Sequence, residues 1–205
     1  MTLPANLENL SESLASLPGI GRRMASRIAI HLFRDKVVSQ NLIHEVLELD
    51  KLKFCNKCGI VSDFETCEVC SGERLAKIMV VEEYFDVVSI EEVGEYEGYY
   101  FILGGLLSPL KAIMPENLRI GALISRVAEL LENSTELEVI FALNPSFEGE
   151  TTINYLKQEL LEKTSKDRRS MLQFTRLGIG LPKGSDLDYA DTETLKYALK
   201  LRGEV

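Results

Sequence analysis

The sequence feature that most constrains this chain is a pair of Cys-x-x-Cys motifs separated by eight residues. Cys55, Cys58, Cys67 and Cys70 are the only cysteines of the chain and lie within sixteen positions. Each motif can turn back tightly enough to offer both sulfurs to one ion, so the spacing predicts one tetrahedral Zn²⁺ site. Four thiolate ligands leave no open position for water, which favours a structural zinc. The alternative is a set of disulfides in a secreted domain, which is disfavoured because no signal peptide is recognisable at the N-terminus.

Length and composition set limits on the rest of the chain. A chain of 205 residues, 45% of them hydrophobic, can bury a substantial core in one or two domains. No apolar run approaches the ~18 residues needed to cross a bilayer, so we expect a soluble protein. Reduced, metal-bound cysteines fit the cytoplasm.

The net charge of -9 is spread unevenly along the chain. Residues 1–60 hold eight Lys/Arg and six Asp/Glu, whereas the remaining residues hold fifteen and twenty-six. Affinity for phosphate depends on a local basic patch, and the total charge does not decide it. An acidic chain of this kind can therefore still bind nucleic acid through its N-terminal part.

The N-terminal arm is predicted to be a helical hairpin. Apolar residues recur at helical spacing over residues 6–16, and this pattern stops at Leu17-Pro18-Gly19-Ile20-Gly21. A second amphipathic helix is predicted over residues 22–34, with its arginines on the polar side, and a third over residues 40–50. The arm is thus a helix, a Gly-containing hairpin and a second helix, followed by one more helix.

The start of the second helix is a candidate phosphate-binding site. Gly19 and Gly21 allow the backbone to approach a phosphate closely, and Arg22, Arg23 and Arg27 add positive charge beside free helix N–H groups. The motif resembles the helix-hairpin-helix element that contacts the DNA backbone without reading sequence. The alternative is a plain αα-hairpin with solvated arginines. Basic residues at a helix N-terminus oppose the macrodipole, which favours an anion there.

The part of the chain after residue 75 is predicted to be an α/β body. Strands are predicted at residues 76–81, 99–103 and 138–143, and helices at residues 84–93, 119–132 and 151–163. Strands that alternate with helices indicate a mostly parallel sheet with helices on both faces. In such sheets ligands gather outside the carboxyl ends of the strands.

Acidic residues follow two of these strands in a pattern that resembles the Toprim domain of topoisomerases, primases and some nucleases. Toprim enzymes use a Glu after the first strand for acid/base work, and Glu82 occupies that position. They use an Asp-x-Asp after a later strand to hold Mg²⁺, but this chain has Asn144 and Ser146 there. An amide and a hydroxyl supply no negative charge for a hard divalent ion, so the metal-dependent chemistry of those enzymes is in doubt.

Two further carboxylates follow the same strand. Glu148 and Glu150 could collect a weakly held Mg²⁺ or bind a basic partner. The structural alternative is that Gly149 makes a turn and Glu150 lies in a first helical turn, where the dipole favours it.

The order of these parts resembles the RecR family of bacterial recombination mediators over nearly the whole chain. The parts are the hairpin, the four-Cys site, the Toprim-like body and a tail that runs through Arg176-Leu177-Gly178-Ile179-Gly180-Leu181-Pro182 and Gly184-Ser185-Asp186-Leu187-Asp188-Tyr189. The stretch Leu103-Gly104-Gly105-Leu106-Leu107-Ser108-Pro109-Leu110 also agrees with that family. The segments Arg22-Arg23 and Lys111-Ala112-Ile113-Met114 depart from the family pattern, the first without loss of charge.

The resemblance implies a protein without enzymatic activity that works with RecO, and in some bacteria RecF, to load RecA at single-strand gaps. It also implies self-association into a ring-like tetramer that encircles duplex DNA. The family's basic hairpin positions map onto Arg23 and Arg27, and its zinc ligands map onto the four cysteines. Its acidic patch for RecO maps onto Glu82, Glu148 and Glu150, with Asn144 beside them.

We therefore expect four regions: a helical arm (1–53), a zinc site (54–75), a Toprim-like domain (76–170) and a C-terminal assembly tail (171–205). No Gly-x-x-x-x-Gly-Lys-[Ser/Thr] motif occurs, so no ATP hydrolysis is expected. Two other functions stay open at this point. One is a Mg²⁺-dependent Toprim nuclease, primase or topoisomerase-like enzyme, and the other is a zinc-stabilised scaffold that never touches DNA.

Overall fold

The computed structural model describes residues 3–178, 180, 181, 183, 184 and 186–202. Three residues of the predicted tail motif, Ile179, Pro182 and Ser185, lie outside the described residues. The chain divides into two compact units, one ending at Leu52 and the other beginning at Lys53.

The first unit consists of three helices. They are α1 (Ala5–Ala15), α2 (Arg22–Arg34) and α3 (Lys36–Glu48), and a 3-10 turn at Leu49–Lys51 follows. The second helix has the predicted bounds. The third begins four residues earlier than predicted, because the Asp35 carboxylate caps it by accepting from the N–H groups of Val37 and Val38, each at 3.1 Å.

The packing of this unit is concentrated between α1 and α2. Ala25, Ala29 and Leu32 are its buried apolar residues on α2. By contrast, α3 has no buried residue. Its exposed apolar side chains are Val37, Val38, Leu42, Ile43, Val46 and Leu47. This helix therefore presents a largely apolar surface that its own unit does not cover.

The second unit contains the strands and the remaining helices. The strands are β1 (Lys53–Phe54), β2 (Val61–Ser62), β3 (Lys77–Val81), β4 (Tyr99–Ile102), β5 (Leu137–Ala142) and β6 (Leu172–Arg176). The helices are α4 (Glu68–Ser71), α5 (Tyr84–Glu91), α6 (Ile120–Glu132), α7 (Phe147–Lys163) and α8 (Thr192–Lys200). Across the part of the chain that is described, no helix is long and apolar enough to cross a membrane.

Four strands form one parallel sheet in the order β4-β3-β5-β6, and β1 and β2 form a separate antiparallel pair. In this register Val80 lies between Phe101 on one side and Phe141 on the other. The predicted parallel sheet with helices on both faces is confirmed.

The two faces of the sheet belong to two different cores. Ile78 and Val80 pack with α6 and α7 in one core. Met79 and Val81 point to the other side and pack with α5 and the four cysteines. Because successive strand residues point to opposite faces, β3 contributes to both cores, and β4 does the same through Phe101 on one face and Tyr100 and Ile102 on the other.

The turn after β5 is tighter than predicted. Helix α7 begins at Phe147, not at residue 151, because the Ser146 Oγ caps it by accepting from the Gly149 N–H at 3.1 Å. Gly149 is therefore helical and does not form a turn. A Cβ atom at this position would stand 1.9 Å from the carbonyl oxygen of Asn144, so only glycine fits.

Strand β6, helix α8 and the short elements of the cysteine segment (β1, β2 and α4) were not predicted from the sequence. Strand β6 lies in a segment that the sequence analysis counted with the tail, and α8 lies near the end of that tail. The strand is a five-residue edge strand in which only Leu172 is buried, so its alternation of apolar and polar residues is too short to stand out from the tail.

Replacing Gly149 with Ala should lower the free energy of unfolding by about 1–3 kcal/mol, because the new methyl group forces the backbone carbonyl of Asn144 to move. The measurement is equilibrium denaturant unfolding. Gly121→Ala is the matched control, since Gly121 also lies in a first helical turn but has open space around its Cβ position. That control should be neutral or stabilising by up to about 1 kcal/mol. Equal effects of the two substitutions would contradict the steric argument.

Candidate functional sites

The four cysteines come together as the sequence predicts. Their sulfur atoms all lie within 4.8 Å of one another, and the sulfurs of Cys58 and Cys67 are 3.5 Å apart. A tetrahedral zinc–thiolate site with bonds of about 2.3 Å places its sulfurs about 3.8 Å apart, which agrees with this cluster. All four cysteines are described, all are buried, and none forms a disulfide. The cluster could hold one metal ion, and the disulfide alternative is wrong.

Backbone hydrogen bonds shape the two Cys-x-x-Cys segments of the cluster, residues 55–58 (the first hook) and residues 67–70 (the second hook). In the first hook the Cys55 N–H donates to the Ile60 carbonyl at 2.8 Å and the Gly59 N–H donates to the Cys55 carbonyl at 2.9 Å. In the second hook Cys67 precedes α4, which carries Cys70. The two hooks also meet directly, since the Cys67 N–H donates to the Cys55 sulfur at 3.4 Å. The arrangement favours thiolates, which are the form that binds metal.

The thiols affect one another's protonation. The hydrogen bond between Cys58 and Cys70 raises the pKa of the Cys58 thiol and lowers the pKa of Cys70 to about 6. Burial raises the pKa of Cys67 to about 11. Burial acts to raise the pKa of Cys55, but backbone hydrogen bonds outweigh it and lower that pKa as well. Full ligation requires a cation to displace the protons of Cys58 and Cys67.

Arg119 fastens the first hook to the sheet, and the sequence analysis did not identify it. Its Nη1 donates to the carbonyl oxygens of Cys58 at 2.9 Å and Ile102 at 3.0 Å, and its guanidinium lies over the Phe101 ring. Gly59, with φ of 87°, leaves room for this guanidinium, because a Cβ there would lie 1.8 Å from the Arg119 Nη1. Nothing in the local sequence reveals a partner 61 positions away.

The N-terminus of α2 in the first unit carries unpaired positive charge. Arg22, Arg23 and Arg27 are exposed, and none of them takes part in an ion pair within the described residues. Gly21 is the N-cap residue and offers no side chain, and the first turn contains no acidic residue. The preceding turn has Gly19 in a left-handed conformation, with φ of 79°. The free N–H groups and the arginines could therefore bind an anion.

Three other helices of the chain have N-termini that are capped by side chains. The N-terminus of α3 is capped by Asp35, that of α5 by the side chains of Glu83 and Asp86, and that of α7 by Ser146. An uncapped helix start with three arginines is thus a specific feature of the hairpin, although α1, α4 and α6 also lack a side-chain cap.

At the carboxyl edge of the sheet, Glu82 and Asn144 are in direct contact. The Asn144 Nδ2 donates to the Glu82 Oε2 at 3.0 Å, which joins the ends of β3 and β5. The amide therefore occupies one oxygen of the carboxylate that a Toprim enzyme would use. Ser146, in the second Asp-x-Asp position, is engaged as the cap of α7. This arrangement brings together two of the sequence-predicted residues but does not gather several free carboxylates.

The other two acidic residues of the predicted patch differ in availability. Glu148 is half-buried in the first turn of α7. Glu150 forms an ion pair with Arg176, whose guanidinium also lies over the ring of Tyr197 on α8. Among the described residues, only the four cysteines form a group of three or more His, Cys, Asp or Glu residues that could hold a metal ion.

Comparison with known proteins identifies these parts. A "RecR, helix-hairpin-helix" family model matches residues 7–48, a "Toprim domain" model matches residues 76–169, and a "RecR, C-terminal" model matches residues 180–202. The chain is 42% identical over 200 residues to the recombination protein RecR of Clavibacter michiganensis, covering 96% of this chain and 95% of that protein. The chain belongs to the RecR family.

Further RecR proteins are similar over the same extent. That of Bifidobacterium adolescentis is 43% identical over 97% of this chain and 96% of its own length, and that of Desulforapulum autotrophicum is 38% identical over 97% and 96%. The RecR hairpin match contains the three arginines, and the Toprim match contains the acidic edge. The four cysteines lie between these two matched segments.

The purified protein is expected to hold one metal ion per chain, because the four sulfurs can surround a single ion. Cys67→Ser should retain less than about a tenth of that metal after dialysis against a chelator, since a hydroxyl is a poor ligand for a thiolate-selecting ion. Elemental analysis of the dialysed protein is the measurement. The matched control is Thr66→Ala, which changes the neighbouring residue and no ligand. Full metal content in Cys67→Ser would exclude the four-thiolate site.

Proposed function

We propose that this chain is a recombination mediator that binds DNA through the α1–α2 hairpin and has no catalytic activity of its own. It acts in DNA repair with RecO, and in some settings RecF, to help load RecA at single-strand gaps. The membership in the RecR family supports this assignment. The relatives are named as recombination proteins, and they match this chain over nearly its full length.

The observation that carries the DNA-binding part is the uncapped start of α2. Three exposed arginines without ion-pair partners among the described residues stand next to free backbone N–H groups. Such a site gains from a phosphate twice, through hydrogen bonds to the N–H groups and through charge. It makes no demand on base identity, which fits a protein that must act at any gap.

The acidic edge supports a partner-binding role more than a catalytic one. Glu82 shares an oxygen with the Asn144 amide, and Glu150 is neutralised by Arg176, so few free carboxylates are left for Mg²⁺. Phe147 lies beside these residues with 83% of its surface exposed. An exposed aromatic ring next to acidic groups is typical of a surface that binds a protein. We assign Glu82, Asn144, Glu148 and Glu150 to the RecO contact.

Two further properties complete the proposal. The cysteine cluster holds a structural Zn²⁺, because four buried thiolates select a soft ion and leave no open coordination position. The chain self-associates, as a ring-like tetramer, and the uncovered apolar surface of α3 supports an interface in the first unit. We assign the protein to the cytoplasm, and work on DNA with reduced cysteines supports this assignment.

The DNA contact is tested with a labelled gapped duplex, incubated at low salt with metal-loaded protein and Mg²⁺. The variant Arg23→Ala/Arg27→Ala should bind at least about tenfold more weakly. The slope of log affinity against log salt should become shallower by about one for each arginine that contacted a phosphate. Arg34→Ala/Lys36→Ala is the matched control, because it removes two charges near the other end of α2.

Equal binding by both double variants would assign the hairpin a purely structural role and favour the scaffold that never touches DNA. Shortened or religated DNA would instead favour a Mg²⁺-dependent Toprim enzyme. The same gel therefore separates the three functions that the sequence leaves open.

The partner contact is tested by titrating RecO into Glu82→Gln/Glu148→Gln and measuring the heat of binding. The affinity should fall about tenfold, because the substitutions remove two charges from a surface that would meet basic groups. Glu132→Gln/Glu136→Gln removes the same charge at the opposite edge of the sheet and should bind as the wild type does. Equal losses in both double variants would show that only net charge matters and not this edge.

A further inference from the structure

Arg126 is a charged residue in the apolar part of α6. Its side chain is 5% exposed, and its helix buries Ile120, Leu123, Val127 and Leu131 around it. A buried guanidinium is costly unless anionic groups and acceptors surround it. The charge of Arg126 therefore needs compensation from groups nearby.

The only ion-pair partner of Arg126 among the described residues does not fully compensate its charge. The Arg126 Nη1 lies 2.6 Å from the Glu129 Oε2, but the other oxygen of Glu129 bonds to the Nζ of Lys57. One carboxylate thus serves two cations, and the trio keeps one unit of positive charge. The Arg126 Nε is also buried without a hydrogen-bond partner in the described structure.

The contacts of Arg126 link it to both hooks of the cysteine cluster. Through Glu129 it is linked to Lys57, which lies between Cys55 and Cys58. Its guanidinium also lies 4.8 Å from the ring centre of Tyr99. The Tyr99 hydroxyl donates to the carbonyl of Gly72, two residues after Cys70.

The cysteine cluster has the opposite imbalance. Four thiolates around a divalent cation carry a net charge of about -2, and this charge is buried, because every cysteine is at most 8% exposed. A buried cation that shares its one carboxylate with Lys57 is therefore linked, through Glu129 and Tyr99, to a buried anionic centre.

We propose that Arg126 is the counter-charge of the metal–thiolate centre and the positioning residue that couples metal retention to the α/β body. Arg126 is not a ligand. It stabilises the bound state by offsetting part of the negative charge of the four thiolates, as outer-shell partners of metal sites do. The inference rests on the metal site of the proposed function, and it is independent of DNA and RecO binding.

The test measures the rate at which Zn²⁺ passes from the loaded protein to an excess of the chromophoric chelator 4-(2-pyridylazo)resorcinol. Arg126→Met keeps the length of the side chain and removes its charge, and it should release the ion at least about tenfold faster than the wild type. Arg126→Lys keeps the charge and should stay within about threefold of the wild type. Val127→Ala is the matched packing control, since it loosens the same helix without changing charge, and its release rate should be nearly unchanged.

Glu129→Gln separates charge compensation from simple bracing. This substitution removes the carboxylate that competes for Arg126, so compensation predicts release no faster than in the wild type. Bracing predicts faster release, because the link to Lys57 is weakened. Glu129 is partly exposed, so this variant should fold even if Arg126→Met does not.

The Co²⁺-substituted protein gives a second readout. Removing the positive charge raises the energy of the sulfur electrons, so the thiolate-to-cobalt absorption band of Arg126→Met should move to longer wavelength. An unshifted band together with release within about twofold of the wild type would overturn the inference, as would accelerated release from Glu129→Gln. A wild-type protein that binds no ion would refute the metal site itself.

Discussion

The carbonyl oxygen of Cys58 is the point on which much of the second unit depends. It accepts a hydrogen bond from the Ile102 N–H at 2.8 Å and another from the Arg119 guanidinium at 2.9 Å. The first bond gives the edge strand β4 a partner where the sheet would otherwise end, and the second ties the same point to the start of α6. The cysteine loop therefore shares a core with the sheet. Its bond to Ile102 also pairs an N–H group at the edge of the sheet that would otherwise be open.

The charges of the chain are arranged for separate tasks. The first unit leaves a helix start uncapped and surrounds it with exposed arginines. The second unit pairs several of its half-buried charges internally, as with Glu150 and Arg176. In the first unit, these arginines have no ion-pair partner among the described residues, so they are free to meet an anion. The proposed phosphate site requires only the hairpin turn and the helix start.

The sequence predicted the parts of the structure that have strong local signals. The spacing of the cysteines predicted their cluster, the apolar periodicity predicted α2, and the alternation of elements predicted the parallel sheet. The sequence did not predict β6, whose pattern is short and half exposed. It placed the start of α7 at residue 151, because a glycine inside a first helical turn looks like a turn signal unless the close approach of the Asn144 carbonyl is known. Arg119 was missed because its partners are distant in sequence and only the folded chain brings them together. Arg126 was missed because its near neighbour Glu129 gives no sign of the distant contact with Tyr99.

The exposed apolar surface of α3 has a thermodynamic consequence under the proposed self-association. A helix with no buried residue gains little from its own unit, so most of its stabilisation must come from a covering surface on another copy. Mass action then makes the folded fraction of this helix depend on how much protein is present. Because α3 follows directly on α2, the abundance of the chain in the cell would determine how many hairpins adjoin a folded α3 at one time.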